Sequence, residues 1–139
     1  MTTMKTAVLS EAQDRQTESN REIAIDFLTR AARGGARDAM QRYAAPDFVH
    51  HNPWFAPDAE SLATAMDANA RENPQKEVHV QRTIAEGPLV ALHASVRHNP
   101  GAQPAAVVHI FRFEAGRISE LWDIGQEAPA ESPNTAGMF

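Results

Sequence analysis

The stretch VVHIFRFEAGRISELWDIGQ, Val107 to Gln126, decides the fold. It alternates with the period of two that strands show, and Glu114-Ala115-Gly116 in its middle supplies a turn. It reads as two strands of a hairpin. Val107, His109, Phe111 and Phe113 share one side of the first strand, and Val108, Ile110 and Arg112 share the other. On the second strand, Ile118, Glu120, Trp122 and Ile124 fall opposite Ser119, Leu121 and Asp123. His109 thus stands in an apolar and aromatic row. A titratable group in such a wall is costly unless it has a partner or a task, so the question of function becomes what His109 faces.

Upstream, the same period continues. Val78, Val80, Arg82 and Ile84 alternate with His79, Gln81 and Thr83, and Gly87-Pro88 turns the chain. A strand follows from Leu89 to about Arg97, then Asn99-Pro100-Gly101 makes another turn and a strand begins near Ala105. Before Pro74 the period is helical. Ile23, Phe27 and Ala31, widened by Ala24 and Leu28, make an apolar stripe over about Ser19–Arg33. Ser19 and Glu22 have capping-box spacing, and Gly34-Gly35 stops the helix. A short helix over Ala36–Tyr43 is expected to end at Pro46-Asp47, and Phe48–Asn52 to be a short extended piece. A third helix fits Asp58–Glu72. Three helices followed by four strands predict an α+β domain with an antiparallel sheet. The organisation reads as a flexible extension over 1–17, a domain over 18–127 and an irregular tail over 128–139.

Composition removes several classes of function. The 139 residues suit one domain, and no cysteine is present, so thiolate catalysis, disulfides and Cys-based zinc sites are excluded. The net charge of -5 comes with no basic stripe, which argues against a nucleic-acid partner. There is no apolar run near membrane-spanning length and no secretory signal pattern, so a cytoplasmic protein without a membrane partner is expected. No GxSxG, P-loop, GxGxxG or HExxH motif occurs.

What remains is histidine and carboxylate chemistry. His50 and His51 are adjacent in an extended segment, so only one can enter a given pocket. His93 ends the apolar run LVALH, while His79 and His98 lie among polar neighbours. Of Glu120 and Asp123, alternation allows one at most beside His109, and Trp122 shares the face of Glu120. A metal site from His51, His93 and His109 is geometrically open but unsupported by spacing.

The residues Tyr43 with FVHHNP (48–53), TIAEGPLVALH (83–93), HIFRFEAGRISELWDIGQ (109–126) and the tail SPNTAGMF (132–139) resemble the SnoaL-like group of the NTF2-like superfamily, in a subgroup labelled as aldol-condensation enzymes. The resemblance implies a cone in which a curved antiparallel sheet wraps around three helices and encloses a deep apolar pocket. It also implies a homodimer paired through the outer sheet face. His51, Asn52, His93, Trp122, Asp123 and Gln126 match the subgroup's pattern, whereas position 109, usually aspartate there, is His109 here.

The resulting expectation is a cofactor-independent cyclase, isomerase or lyase that moves a proton beside the carbonyl of a small hydrophobic compound. His51 and His109 would be its base and acid, with His93 assisting. Asn52, Trp122, Tyr43, Phe111 and Glu120 would hold the substrate, with His109 and Trp122 pointing inward together. The alternatives are a pocket that binds without turnover and the three-histidine metal site.

Overall fold

The computed structural model describes residues 2–139, with side chains for residue 8 and for 10–139. Helix α1 spans Thr2–Ala32, α2 Ala36–Tyr43 and α3 Ala59–Glu72; strands are β1 Ala44–His50, β2 Glu77–Glu86, β3 Leu89–Arg97, β4 Ala105–Glu114 and β5 Arg117–Gln126. The α+β class and the cone built on three helices are as expected. The sheet has five strands rather than four, in the order β1-β5-β4-β3-β2, and remains open. It is antiparallel except that β1 runs parallel to β5. Pro46 does not end a helix but lies inside β1. At the edge of a sheet a missing N–H costs no ladder bond.

Helix α1 starts well before Ser19, so no capping box forms there. The segment before Ser19 contains no proline or glycine. Pairs one turn apart, such as Gln16 to Asn20 at 2.9 Å and Arg21 to Glu18 at 3.1 Å, support the helix across that boundary. Its apolar stripe is the predicted one: Ala24, Phe27, Leu28 and Ala31 are buried. Helix α3 starts at the Asp58 cap, whose carboxylate accepts the Ser61 N–H at 2.8 Å.

The helices cover one face of the sheet. Phe27 meets Phe111 edge to face, with ring centroids 5.7 Å apart, and Val90, Leu92, Ala94, Ile118 and Leu121 complete the apolar layer. Two register shifts in the antiparallel part bend the sheet and reset its faces. Between Val80 and Arg82 the register of β2 slips at Gln81, so Val80 packs on the core while Ile84 is exposed. In β5, Arg112 pairs Glu120 but Phe113 pairs Ile118, which leaves Ser119 as the extra residue. Its buried hydroxyl donates to the Arg112 carbonyl at 3.1 Å, so the bulge is satisfied. Ile118 therefore joins the core rather than the face of Glu120 and Trp122. Among the described residues no helix is long and apolar enough to cross a membrane.

Candidate functional site

A pocket of about 250 Å³ lies between the concave sheet face and the helices. Leu28 and Ala31 of α1, Leu62 and Met66 of α3, and Val78, Val96 and Val107 of the sheet make its apolar wall. Its polar groups are Asn52, Asn69, Lys76, His98, His109 and Asp123. A mostly apolar hollow with a few convergent polar side chains is the usual form of a small-molecule site.

His109 and Asp123 are directly paired across β4 and β5, so their side chains share the inner face. His109 Nε2 stands 3.7 Å from Asp123 Oδ1, outside hydrogen-bond range, and His109 Nδ1 is buried with no hydrogen-bond partner among the described residues. Burial pushes the imidazole below its ordinary value of 6.5; the Asp123 charge opposes this and Lys76 adds to it. His109 is thus a neutral imidazole near neutral pH. Asp123 is held from the other side, where Asn52 Nδ2 donates to its Oδ2 at 3.0 Å. Asn52 is fixed in turn, because its Oδ1 accepts the Trp54 N–H at 3.0 Å and its own N–H donates to His50 Nδ1 at 3.1 Å. The buried His50 ring is anchored by the Ala56 carbonyl at 2.6 Å.

The pocket's cation comes from the turn between α3 and β2. Lys76 N–H closes that turn on the Asn73 carbonyl at 3.0 Å, and Lys76 Nζ donates to Asn69 Oδ1 at 2.8 Å. Burial lowers the pKa of this amine, partly offset by Asp123.

Several expected site residues lie elsewhere. The Ser119 bulge shifts β5 by one position, so Trp122 pairs with Ile110, on the face opposite His109. The two do not point inward together. His51 follows Trp122 to the outer face, stacked on it with centroids 5.1 Å apart, and its Nε2 lies 2.5 Å from Glu120 Oε2. Glu120 also accepts from Arg112 Nε at 2.9 Å, and these two contacts, His51 first, hold its carboxyl below the usual range. His51 and His109 therefore cannot act as one acid/base pair. His93 pairs with Val108, opposite the inner face, and meets Arg82 and the ring of Phe139.

Tyr43 donates to Asp26 at the α1–α2 junction, holding that carboxyl low with help from Arg30. Phe111 is fully buried core, behind His109 rather than in the pocket wall. Of the eight expected residues, the pocket takes His109 and Asn52. His51, His93 and His109 do not converge, and no group of three His, Cys, Asp or Glu side chains able to hold a metal occurs among the described residues. Asp123 had a sequence signal, since it was the alternative to Glu120. Lys76, Asn69 and His98 had none, because they come from loops and from a helix face of mixed character.

Residues 24–121 match the model of the SnoaL-like domain. Among curated proteins none matches in sequence. Similar solved structures include a SnoaL-like polyketide cyclase candidate from Jannaschia sp. CCS1, with TM-score 0.66, 19% identity and coverage of 78% of this chain and 86% of that one. A candidate ketosteroid isomerase from Kribbella flavida has TM-score 0.65 and 20% identity, covering 85% of each chain. AclR from Streptomyces galilaeus, a candidate hydroxylase, has TM-score 0.65 and 20% identity, covering 79% and 90%. At these identities the likeness concerns the fold.

Proposed function

This chain belongs to the SnoaL-like family, and from that premise we propose that its pocket takes a small, largely apolar carbonyl compound and moves a proton beside the carbonyl, leading to aldol-type cyclisation or isomerisation. The observation that carries this reading is a buried, neutral His109 on the pocket wall beside Asp123, with an unpartnered ring nitrogen. Native proteins seldom leave a buried polar atom unsatisfied without a functional reason. His109 accepts or returns the proton, while Asp123, oriented by Asn52, stabilises the imidazolium that forms. Lys76, whose Nζ donates to Asn69 Oδ1 in the same pocket, lines the space the carbonyl group would occupy. The apolar wall excludes water and strengthens each of these interactions. The pocket lies just below the ~300–1,000 Å³ typical of drug-sized ligands, which favours a compact substrate.

The test is solvent-deuterium exchange at the α-carbon of a panel of small ketones, followed by proton NMR. Exchange well above buffer, reduced about 10²–10⁴-fold in His109→Ala, supports the reading. Ketones that bind without exchange support the second reading, a binding pocket without turnover. That alternative draws on the 3.7 Å gap between His109 and Asp123, which leaves the pair unjoined by a hydrogen bond.

For the assembly we propose a homodimer through the outer sheet face. The exposed apolar side chains Val49, Ile84, Leu89 and Ile124 on that face support this, because apolar side chains rimmed by polar ones often mark a protein interface. Sedimentation of the wild type and of Ile124→Glu tests it. A dimer that the substitution dissociates is expected, and a monomeric wild type refutes it.

A further inference from the structure

Resting on the carbonyl reading above, we propose that Lys76 is a nucleophile of this pocket, forming a covalent imine with the carbonyl carbon of its ligand. The residue type is the first ground. Of the thirteen Lys and Arg residues, only Lys5 and Lys76 are lysines. Arginine therefore supplies most of the positive charges, while the pocket takes a lysine, the cationic residue type able to lose its proton and attack carbon.

Placement is the second ground. The Asn73–Lys76 turn directs the side chain inward, and Asn73 Nδ2 donates to the Asn69 carbonyl at 2.9 Å, which steadies the residue that receives Nζ. One of the three possible Nζ donors is engaged among the described contacts. The same cavity holds His109 and Asp123 to move protons, with His98 at its rim. Burial favours the neutral amine, Asp123 opposes this, and His109, being neutral, leaves that balance undisturbed.

The step balances without an oxidant or reductant. The neutral amine adds to the carbonyl carbon, and the carbonyl oxygen leaves as water with both amine hydrogens, giving the C=N bond. Protonation at nitrogen makes the neighbouring C–H acidic, and His109 removes that proton to give an enamine. Hydrolysis reverses the sequence and frees Lys76.

Acetylacetone is a suitable probe, because its imine tautomerises to a stable enaminone that absorbs in the near ultraviolet. Peptide mapping by mass spectrometry after timed incubation should place one diketone less one water on Lys76. Labelling there should run at least about tenfold faster than at Lys5, because burial favours the neutral amine that attacks. The rapid ultraviolet signal should be lost in Lys76→Arg, leaving only the slow rise from Lys5, with folding checked by circular dichroism. Labelling of Lys76 no faster than Lys5 overturns the proposal. If that occurs while the wild type still exchanges ketone α-protons, the covalent step falls and the acid/base reading stands. If Lys76 labels rapidly but no ketone exchanges, the nucleophile stands and the acid/base reading falls.

Discussion

Replacing His109 with leucine should stabilise the protein while cutting the proposed proton exchange about 10²–10⁴-fold. The side chain is buried, its Nδ1 has no partner among the described residues, and its Nε2 is 3.7 Å from Asp123 Oδ1. An unsatisfied buried polar group costs about 1–3 kcal/mol. Leucine has a similar volume, carries no polar atom, and meets Phe111 and the apolar pocket wall. The attraction to Asp123 that is lost is small, because the imidazole is neutral near neutral pH. A gain of about 1 kcal/mol, at most about 3, is expected, with about 3–5 °C in Tm per kcal/mol for a chain of this size.

The pH dependence provides a second signature. His109 has a lowered pKa in the folded state, so the unfolded chain binds more protons below the ordinary value of 6.5. The contribution of His109 is therefore fully present above 6.5 and is lost as pH falls toward the lowered folded value. Urea titrations of both proteins between about pH 7.5 and about pH 5.5 should show the leucine variant's advantage growing as pH drops. A variant less stable by more than about 2 kcal/mol, with an unchanged pH slope, would mean that His109 is a satisfied core residue, and the reasoning would fail.

Asp123→Asn should keep the fold and the ligand but lower proton exchange by about 10²-fold, the lower end of positioned acid/base effects; NMR exchange rates check this. Glu120→Gln and Trp122→Ala should leave pocket binding unchanged by titration calorimetry, because both side chains lie on the opposite face of the sheet. Glu120→Gln should change stability by no more than about 1 kcal/mol, as its ion pairs are partly exposed. Ala115→Asn should stabilise by about 1 kcal/mol in urea unfolding, because Ala115 has φ 50 in the β4–β5 turn, a conformation asparagine tolerates far better.

The sequence carried the architecture well because amphipathic periods are local. The stripe Ala24, Phe27, Leu28, Ala31 and the row His109, Phe111, Phe113 sit where their spacing places them. Two features escaped it. A parallel edge strand beside β5 leaves no local signature, and Pro46 argued against a strand that its edge position permits. The larger loss came from one residue: the bulge at Ser119 moves the β5 register by one position, which exchanges Trp122 for Asp123 opposite His109. Alternation along each strand gave the correct sets, but which set of β5 faces His109 depends on that bulge. His51 was misplaced with Trp122 for the same reason. Lys76 and Asn69 reach the pocket through a helix end and a turn, where no periodicity marks a direction.

The most direct test of the pocket as the working site is the set of long-range nitrogen–proton NMR spectra of the histidine rings, recorded as a small cyclic ketone is added to labelled protein. Saturable shifts at both ring nitrogens of His109, with His51 and His93 unmoved, are the predicted result. Saturable shifts at His51 and the Trp122 indole, with His109 silent, would place the site on the outer face and contradict the account.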